Sequence, residues 1–454
     1  MAQDLRTFLE QIRSGAPEEY EVVDREIDPK FEITALTENL EAARRRPVLE
    51  LRGVKGTDFT VVTNVFAKRS RLAFALGTDV KGAAAEFDRR GRNPVPPEEV
   101  GAGPVKEVVE TGDAVDLLRL PQIHHHATDA GPYITGAMAV TRDPETGDLN
   151  ASFNRLMIKG PRKTGIHLTL AKHHWEFYRK AERRGEALPI ALVLGLHPLW
   201  ALGTLHVGAA DEDELSVIGG LLQEPLEVVR GETVDIPVPA RAEIVIEGEI
   251  PPGVREPEGP FSEFTGYSLG ERMREVVEVK AVTRRKDALF HDINVAHADH
   301  MVLSTIPMEA NLLKAVRAAV PSTRAVRIPA PFTAYLSIEK RIEGQSMNAL
   351  LAAFGSELYL KRVVVVDHDV DVFNDFRVQW AIGTRCQPHR DLLIIPNARG
   401  SDLDPSSEPD GFTSKVGVDA TAKPTLAEFA IRNQIPPEVM ERVRPEDFLG
   451  GSGG

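Results

Sequence analysis

Cysteine is almost missing from this chain: Cys386 is the only one in 454 residues. That rules out an intrachain disulfide and a cysteine-built zinc site, and it fits a reducing cytoplasm. Basic charge is also in short supply, with 54 Lys and Arg against 68 Asp and Glu and a net charge of -14. Such a balance argues against a general nucleic-acid or anionic-membrane surface, so an anionic substrate would need a local basic group inside a pocket. Long apolar runs are scarce. The one membrane-length candidate, Leu188 to Val207, has no Lys, Arg, Asp or Glu but contains Pro189, His197, Pro198 and His206, which suit a buried strand and turn better than a spanning helix. The opening Met-Ala-Gln-Asp-Leu-Arg lacks the apolar core of a secretory signal. There is no internal repeat, G-x-G-x-x-G fingerprint or Walker A loop, so nothing supports a Rossmann nucleotide site or a P-loop.

What is present describes a soluble globular protein, 42% hydrophobic and 27% charged, whose length calls for two or three domains. Leu5, Phe8, Leu9 and Ile12 recur at helical spacing, and a second helix is expected from Ile33 to Arg46. With strands at Val48–Leu51 and Phe59–Val65 and a helical Ser70–Leu76, these make an N-terminal α/β domain, assigned to residues 1–112. A strand-rich domain follows over 113–306. Its expected strands include 133–141, 150–158, 167–171, 190–194, 243–250 and 275–282, with helices at 174–184 and 213–222. From 307 to 449 helix and strand alternate as a C-terminal α/β domain. There Val363–Val366 and Asp391–Ile395 read as buried parallel strands, and Thr425–Asn433 as a final helix. Gly450 to Gly454 read as a flexible tail.

Chemistry concentrates in Glu258-Gly-Pro-Phe-Ser-Glu263-Phe-Thr-Gly266. A straight strand would send Glu258 and Glu263 to opposite faces, because five is an odd offset. Gly259-Pro260 permits a bend that brings both acids to one pocket. Paired acids in an apolar site can be driven apart in pKa, leaving one ionised and one able to donate a proton. The same residues also fit a solvated turn, but the flanking Phe261, Phe264 and Tyr267 argue that the turn faces more than water. Asn150-Ala-Ser-Phe-Asn-Arg155 repeats the fivefold offset, offering an amide oxygen for a hard cation and a guanidinium fork for a carboxylate. An ordinary strand accounts for it equally well on spacing alone. His124, His125 and His126 cannot all reach one ion from an extended chain, and His291, His297 and His300 read as strand-end residues.

Glu258-Gly-Pro-Phe-x-Glu263-x-Thr-Gly-Tyr267 resembles the signature of the UbiD-like family of prenylated-FMN-dependent (de)carboxylases. The likeness runs nearly end to end, through Ile27-Asp-Pro-Lys-Phe-Glu-Ile-Thr34, Asp129-Ala-Gly-Pro-Tyr-Ile-Thr135, Trp380-Ala-x3-Arg385-x2-Pro388-x2-Asp391 and Ser414-Lys-Val-Gly-Val-Asp-Ala-Thr421. It implies a central split β-barrel flavin-binding domain between the two α/β domains, the C-terminal one serving oligomerisation. It implies a carboxy-lyase acting reversibly and without net oxidation on an aromatic, heteroaromatic or α,β-unsaturated carboxylic acid, with CO2 as the other partner. Glu263 would donate the proton, and Arg155 and Glu258 would form the supporting pair. Prenylated FMN supplied by a flavin prenyltransferase would lie against Asn150, Ser152, Phe153, Asn154, Arg155, Lys172, His173, Glu214 and Lys415. A Mn²⁺-type ion, with K⁺ nearby, would be held by Asn150, His173 and Glu214, though the adjacent His174 leaves that histidine's identity open. A homodimer or hexamer is implied. The chain departs from the family pattern at Asn154, Ser262 and Lys172, so the particular substrate does not carry over. An FMN-dependent oxidoreductase on a split barrel and a non-catalytic flavin-binding protein are the competing readings.

Overall fold

The computed structural model describes residues 4–169, 172–208, 213–408, 411–433 and 435–448. The glycine-rich tail lies outside these residues. The first helix, Leu5–Gly15, starts on a capping box in which Asp4 and Thr7 satisfy each other's backbone amides, and it buries Leu5, Phe8, Leu9 and Ile12. The second spans Glu32–Ala42 and stops short of the basic run at 44–46. A four-stranded sheet in the order Tyr20–Val23, Val48–Leu51, Thr60–Thr63, Leu289–His291 completes the first layer. Its last strand comes from far along the chain, and it pairs parallel to Thr60–Thr63.

The central sheet has ten strands. Its path starts at Tyr133–Ile134 and Leu156–Gly160, passes through Lys163–Ile166, Arg272–Arg284, Ile244–Ile250 and Leu188–Leu194, and ends at Met138–Arg142 and Leu149–Phe153. Laid flat, strands six places apart would be separated by roughly 30 Å. Yet Leu149–Phe153 and Leu156–Gly160 stand six places apart and are joined through Asn154 and Arg155 alone, a link that reaches at most about 11 Å between the flanking Cα atoms. The sheet must therefore curl until its two ends approach. No ladder joins those ends among the described residues, so the expected split barrel is an open one. This also explains why the single strands expected at 150–158 and 133–141 are each broken in two: the chain steps across the split. The strand expected at 167–171 instead occupies Lys163–Ile166, with Leu170 and Ala171 outside the described residues.

Along Ile244–Ile250 isoleucines alternate with other residues, and both faces of the strand are largely buried. Glu243 receives Arg6 at 2.8 Å, and Glu247 accepts the amides of Glu232 and Thr233 at 2.8 and 2.7 Å. The C-terminal sheet runs Thr323–Ala330, Thr333–Ile338, Arg362–Asp367, Phe412–Ala420, Leu392–Arg399. Arg362–Asp367 pairs parallel on both sides, as its valine run predicts. The run at 391–395 behaves differently: Leu392–Arg399 is an antiparallel edge strand with Leu392 and Ile394 exposed. The helix expected at 425–433 is only a three-residue 3-10 turn, Leu426–Glu428, although Leu426, Phe429 and Ala430 keep helical spacing.

Candidate active site

Glu258 closes the strand Arg255–Glu258, Gly259 follows at φ +87°, the Gly259–Pro260 bond is cis, and Phe261–Ser262 form the next short strand. Only glycine adopts that φ readily. The turn delivers both acids to one place: Glu258 is 1% and Glu263 8% exposed. Asp129 holds the turn from outside, its Oδ1 accepting the Ser262 amide at 2.8 Å and hydroxyl at 2.9 Å, and its Oδ2 accepting the His126 amide at 3.0 Å. Burial alone would raise the Asp129 pKa, but these bonds and the His126 side chain hold it below its usual value. Of the flanking aromatics, Phe261 is buried and Tyr267 faces solvent. Phe264 packs edge-on against His300, Phe332 and Tyr359.

Arg155 enters from the split in the sheet. Its Nε and Nη2 donate in parallel to Glu258 at 3.0 and 3.1 Å, and its Nη1 meets Glu263. The guanidinium lies 4.8 Å over the Phe261 ring. One cation thus serves two buried carboxylates. Burial works against the arginine's charge, but the two glutamates win and its pKa is raised. For Glu263, burial pushes the pKa up, Arg155 pulls it down, and Glu258 and Asp129 add to the upward push, leaving it above the ordinary carboxylate value. The sequence pairs Arg155 with Glu258 alone; the structure shows it touching both. Even so, Glu263 is the member of the set displaced toward its neutral form, because one guanidinium does not fully compensate two desolvated acids.

Asn150, His173 and Glu214 also converge. Asn150 Nδ2 donates to Glu214 Oε1 at 2.6 Å and lies 3.0 Å from His173 Nδ1, while Glu214 Oε2 accepts the Ala151 amide at 3.0 Å. His173 opens the helix His173–Arg183, and Glu214 opens Glu214–Leu222 behind its cap Asp213. His174 points elsewhere: it is buried with Nε2 3.1 Å from the Asn150 carbonyl oxygen. Burial lifts the Glu214 carboxyl to about 7. An amide oxygen, an imidazole nitrogen and a buried carboxylate that lacks a cation suit a divalent ion of the Mn²⁺ kind, and rotating the Asn150 amide would present its oxygen.

The remaining predicted residues are more scattered. Ser152 donates to Asn154 Oδ1 at 3.2 Å, Asn154 donates to the His167 carbonyl at 2.9 Å, and Phe153 is half-buried beside them. Lys172 is an exposed helix cap. Lys415 is buried in the C-terminal sheet, where it donates to the Leu358 carbonyl at 3.2 Å and lies over Phe354. His297 and His300 are not at a strand end; His297 caps and His300 lies within the helix Ala298–Leu303. His300 is half-buried, and desolvation together with Arg155 lowers its pKa to about 4. Asp129 and His300 join the site although nothing in their spacing gave them a role, Asp129 standing in the segment 129–135 that carries the family resemblance.

Models of the three 3-octaprenyl-4-hydroxybenzoate carboxy-lyase domains match the chain in order: N-terminal over residues 15–90, Rift-related over 98–298 and C-terminal over 301–420. That order, with this site, defines a carboxy-lyase. The chain is 37% identical to the anhydromevalonate phosphate decarboxylase of Methanothermobacter thermautotrophicus, over 93% of this chain and 98% of the relative. Its fold matches the UbiD-class enzyme HmfF from Pelotomaculum thermopropionicum in complex with FMN, with a TM-score of 0.93, 42% identity, and 98% and 100% of the two chains covered. An evolved dimeric form of HmfF in complex with prFMN matches with a TM-score of 0.88 at 40% identity, covering 99% and 100%. The apo 3,4-dihydroxybenzoic acid decarboxylase AroY of Klebsiella pneumoniae matches with a TM-score of 0.88 at 30% identity, covering 97% and 99%. The chain belongs to the UbiD family. No helix among its described residues is long and apolar enough to cross a membrane.

Proposed function

We propose that the chain decarboxylates, reversibly and without net oxidation, an aromatic, heteroaromatic or α,β-unsaturated carboxylic acid on bound prenylated FMN. The observation that carries this reading is the buried set of Arg155, Glu258 and Glu263, with Glu263 displaced toward its protonated form. Loss of CO2 leaves an electron pair on carbon that side chains cannot stabilise, and the prenylated flavin, when bound, supplies the electron sink. Glu263 then transfers its proton to that carbon: the acid O–H bond breaks, a C–H bond forms, and Glu263 is left as a carboxylate. Glu258 stays ionised against Arg155 and keeps the guanidinium in place. In the carboxylation direction Glu263 removes the proton instead.

Asn150, His173 and Glu214 fit a Mn²⁺-type ion that would tether the flavin phosphate, with K⁺ accompanying it. Ser152, Phe153, Asn154 and Lys172 border this cluster in sequence, and Lys415 is the more remote candidate for a phosphate contact. The cofactor makes a flavin prenyltransferase a functional partner, and the evolved dimeric form of HmfF supports a homo-oligomer, here held through residues 307–449. An FMN oxidoreductase would not need two buried acids around one arginine.

The test is production in cells with and without a flavin prenyltransferase, followed by mass measurement of the extracted flavin and assay against a panel of unsaturated and aromatic acids. Activity should require the prenylated mass. Full turnover with FMN alone would overturn the reading.

A further inference from the structure

Tyr133 is fully buried, and among the described residues its hydroxyl makes no hydrogen bond of regular geometry, though Glu258 and the Gly259 backbone lie close enough to act on it. Buried phenols ordinarily have a partner, so an orphan one beside reacting groups calls for a cause. Its backbone is fixed on both sides: Tyr133 pairs with Met157 across the ladder, and its amide donates to the Ile123 carbonyl at 3.0 Å. Its ring lies 4.2 Å from Phe261, the same ring that carries the Arg155 guanidinium on its face. After burial, the strongest influence on the phenol is the charge of Glu258, opposed by Arg155; together they keep it protonated well beyond the usual range. Tyr133 is thus a permanent O–H donor held beside the glutamate–arginine pair, within reach of Glu258 but not yet in a regular hydrogen bond with it.

The charge count of the proposed reaction gives that proton a use. Before proton delivery Arg155 balances one carboxylate, Glu258, and Glu263 is neutral. Afterwards two buried carboxylates share one guanidinium, and the site carries an excess negative charge that burial makes costly. The geometry points to Tyr133 as the positioning residue that absorbs this change: its hydroxyl donates to Glu258 as Arg155 shifts its grip toward Glu263. A donor on one carboxylate eases ionisation of the other, so Tyr133 sets how readily Glu263 parts with its proton. This rests on the proton-donor reading of Glu263 and goes beyond it by naming the group that tunes the acid. The charged and titratable groups around Glu263 are Arg155, Glu258, Asp129 and Tyr359, with His167, His300 and Arg274 acting on Arg155 or sensing it.

The test is pH-difference infrared spectroscopy of the prenylated-FMN holoenzyme labelled with δ-¹³C glutamate, taking as Glu263's own the carboxylic acid band that disappears in Glu263→Gln. In the unaltered protein this band should titrate above the ordinary carboxylate range. Tyr133→Phe keeps the ring and removes the donor, and should move the midpoint up by about one pH unit. Incorporating 3-fluorotyrosine at position 133, a stronger donor with the same packing, should move it down. A purely structural role would cost stability in Tyr133→Phe without moving the midpoint. Midpoints unchanged in both substitutions overturn the inference and leave the decarboxylase reading standing. A midpoint at the ordinary value in the unaltered protein overturns the proton-donor reading, and this inference with it.

Discussion

Arg155 grips Glu258 through two parallel hydrogen bonds of 3.0 and 3.1 Å and has its third nitrogen on Glu263. The fork treats the two acids unequally. Glu258, the more deeply buried of the two, takes the planar, bidentate contact that best suits a carboxylate, and Glu263 takes a single nitrogen.

Arg155→Lys should therefore fail despite keeping the charge. An ammonium cannot supply the parallel pair and reach Glu263 as well. Leaving buried carboxylates poorly compensated commonly costs about 3–5 kcal/mol when one partner is removed outright, so Arg155→Ala should approach that loss and Arg155→Lys should fall short of it. Urea denaturation of both variants beside the parent measures the ordering. Stability equal to the parent in Arg155→Ala would mean the fork is not formed.

Metal binding separates the two adjacent histidines. His173 faces Asn150 and Glu214, while His174 is committed to the Asn150 carbonyl. His173→Ala and Glu214→Ala should lose both metal and flavin on purification. His174→Ala should retain metal-binding groups but unfold more easily. Elemental analysis with the flavin absorbance decides it; metal kept in Glu214→Ala would remove that residue from the ligand set.

Asp129 connects the turn's geometry with its electrostatics. Asp129→Asn keeps an acceptor for Ser262 but removes a negative charge that pushes the Glu263 pKa up. The Glu263 pKa should fall, so the decline in rate with rising pH should begin at lower pH. Asp129→Ala deprives three donors of their acceptor and should also cost about 2 kcal/mol or more in stability. A pH–rate profile unmoved in Asp129→Asn would show that this charge does not reach the acid.

The acid pair was legible because Gly259-Pro260 announces a bend, and the valine run at 363–366 because a central parallel strand is apolar on both faces. The apolar run at 391–395 misled because composition does not distinguish a central strand from an edge strand whose Leu392 and Ile394 stay exposed. The break at Asn154–Arg155 was invisible because it depends on the sheet curling until its ends approach, a property of ten strands rather than of the residues at the break. Tyr133 and Asp129 stand in the segment 129–135 that carries the family resemblance, but nothing in their spacing assigned them a role. Each lies about 130 residues from the turn it serves, and only the fold brings them there.

The central claim is that Glu263 delivers the proton, and the pH dependence of product protonation in D2O tests it most directly. The sign follows from the raised pKa. Glu263 must be protonated to act, so the rate should hold on the acid side and fall as pH rises through a value above the ordinary 4.5 of a glutamate. Glu263→Gln keeps the size and a hydrogen-bonding group but cannot act as the acid. Deuterium incorporation into product should slow by about 10²- to 10⁴-fold, and the descending limb assigned to Glu263 should vanish. Glu263→Gln incorporating deuterium at the parent's rate, with the limb still in place, would contradict the assignment.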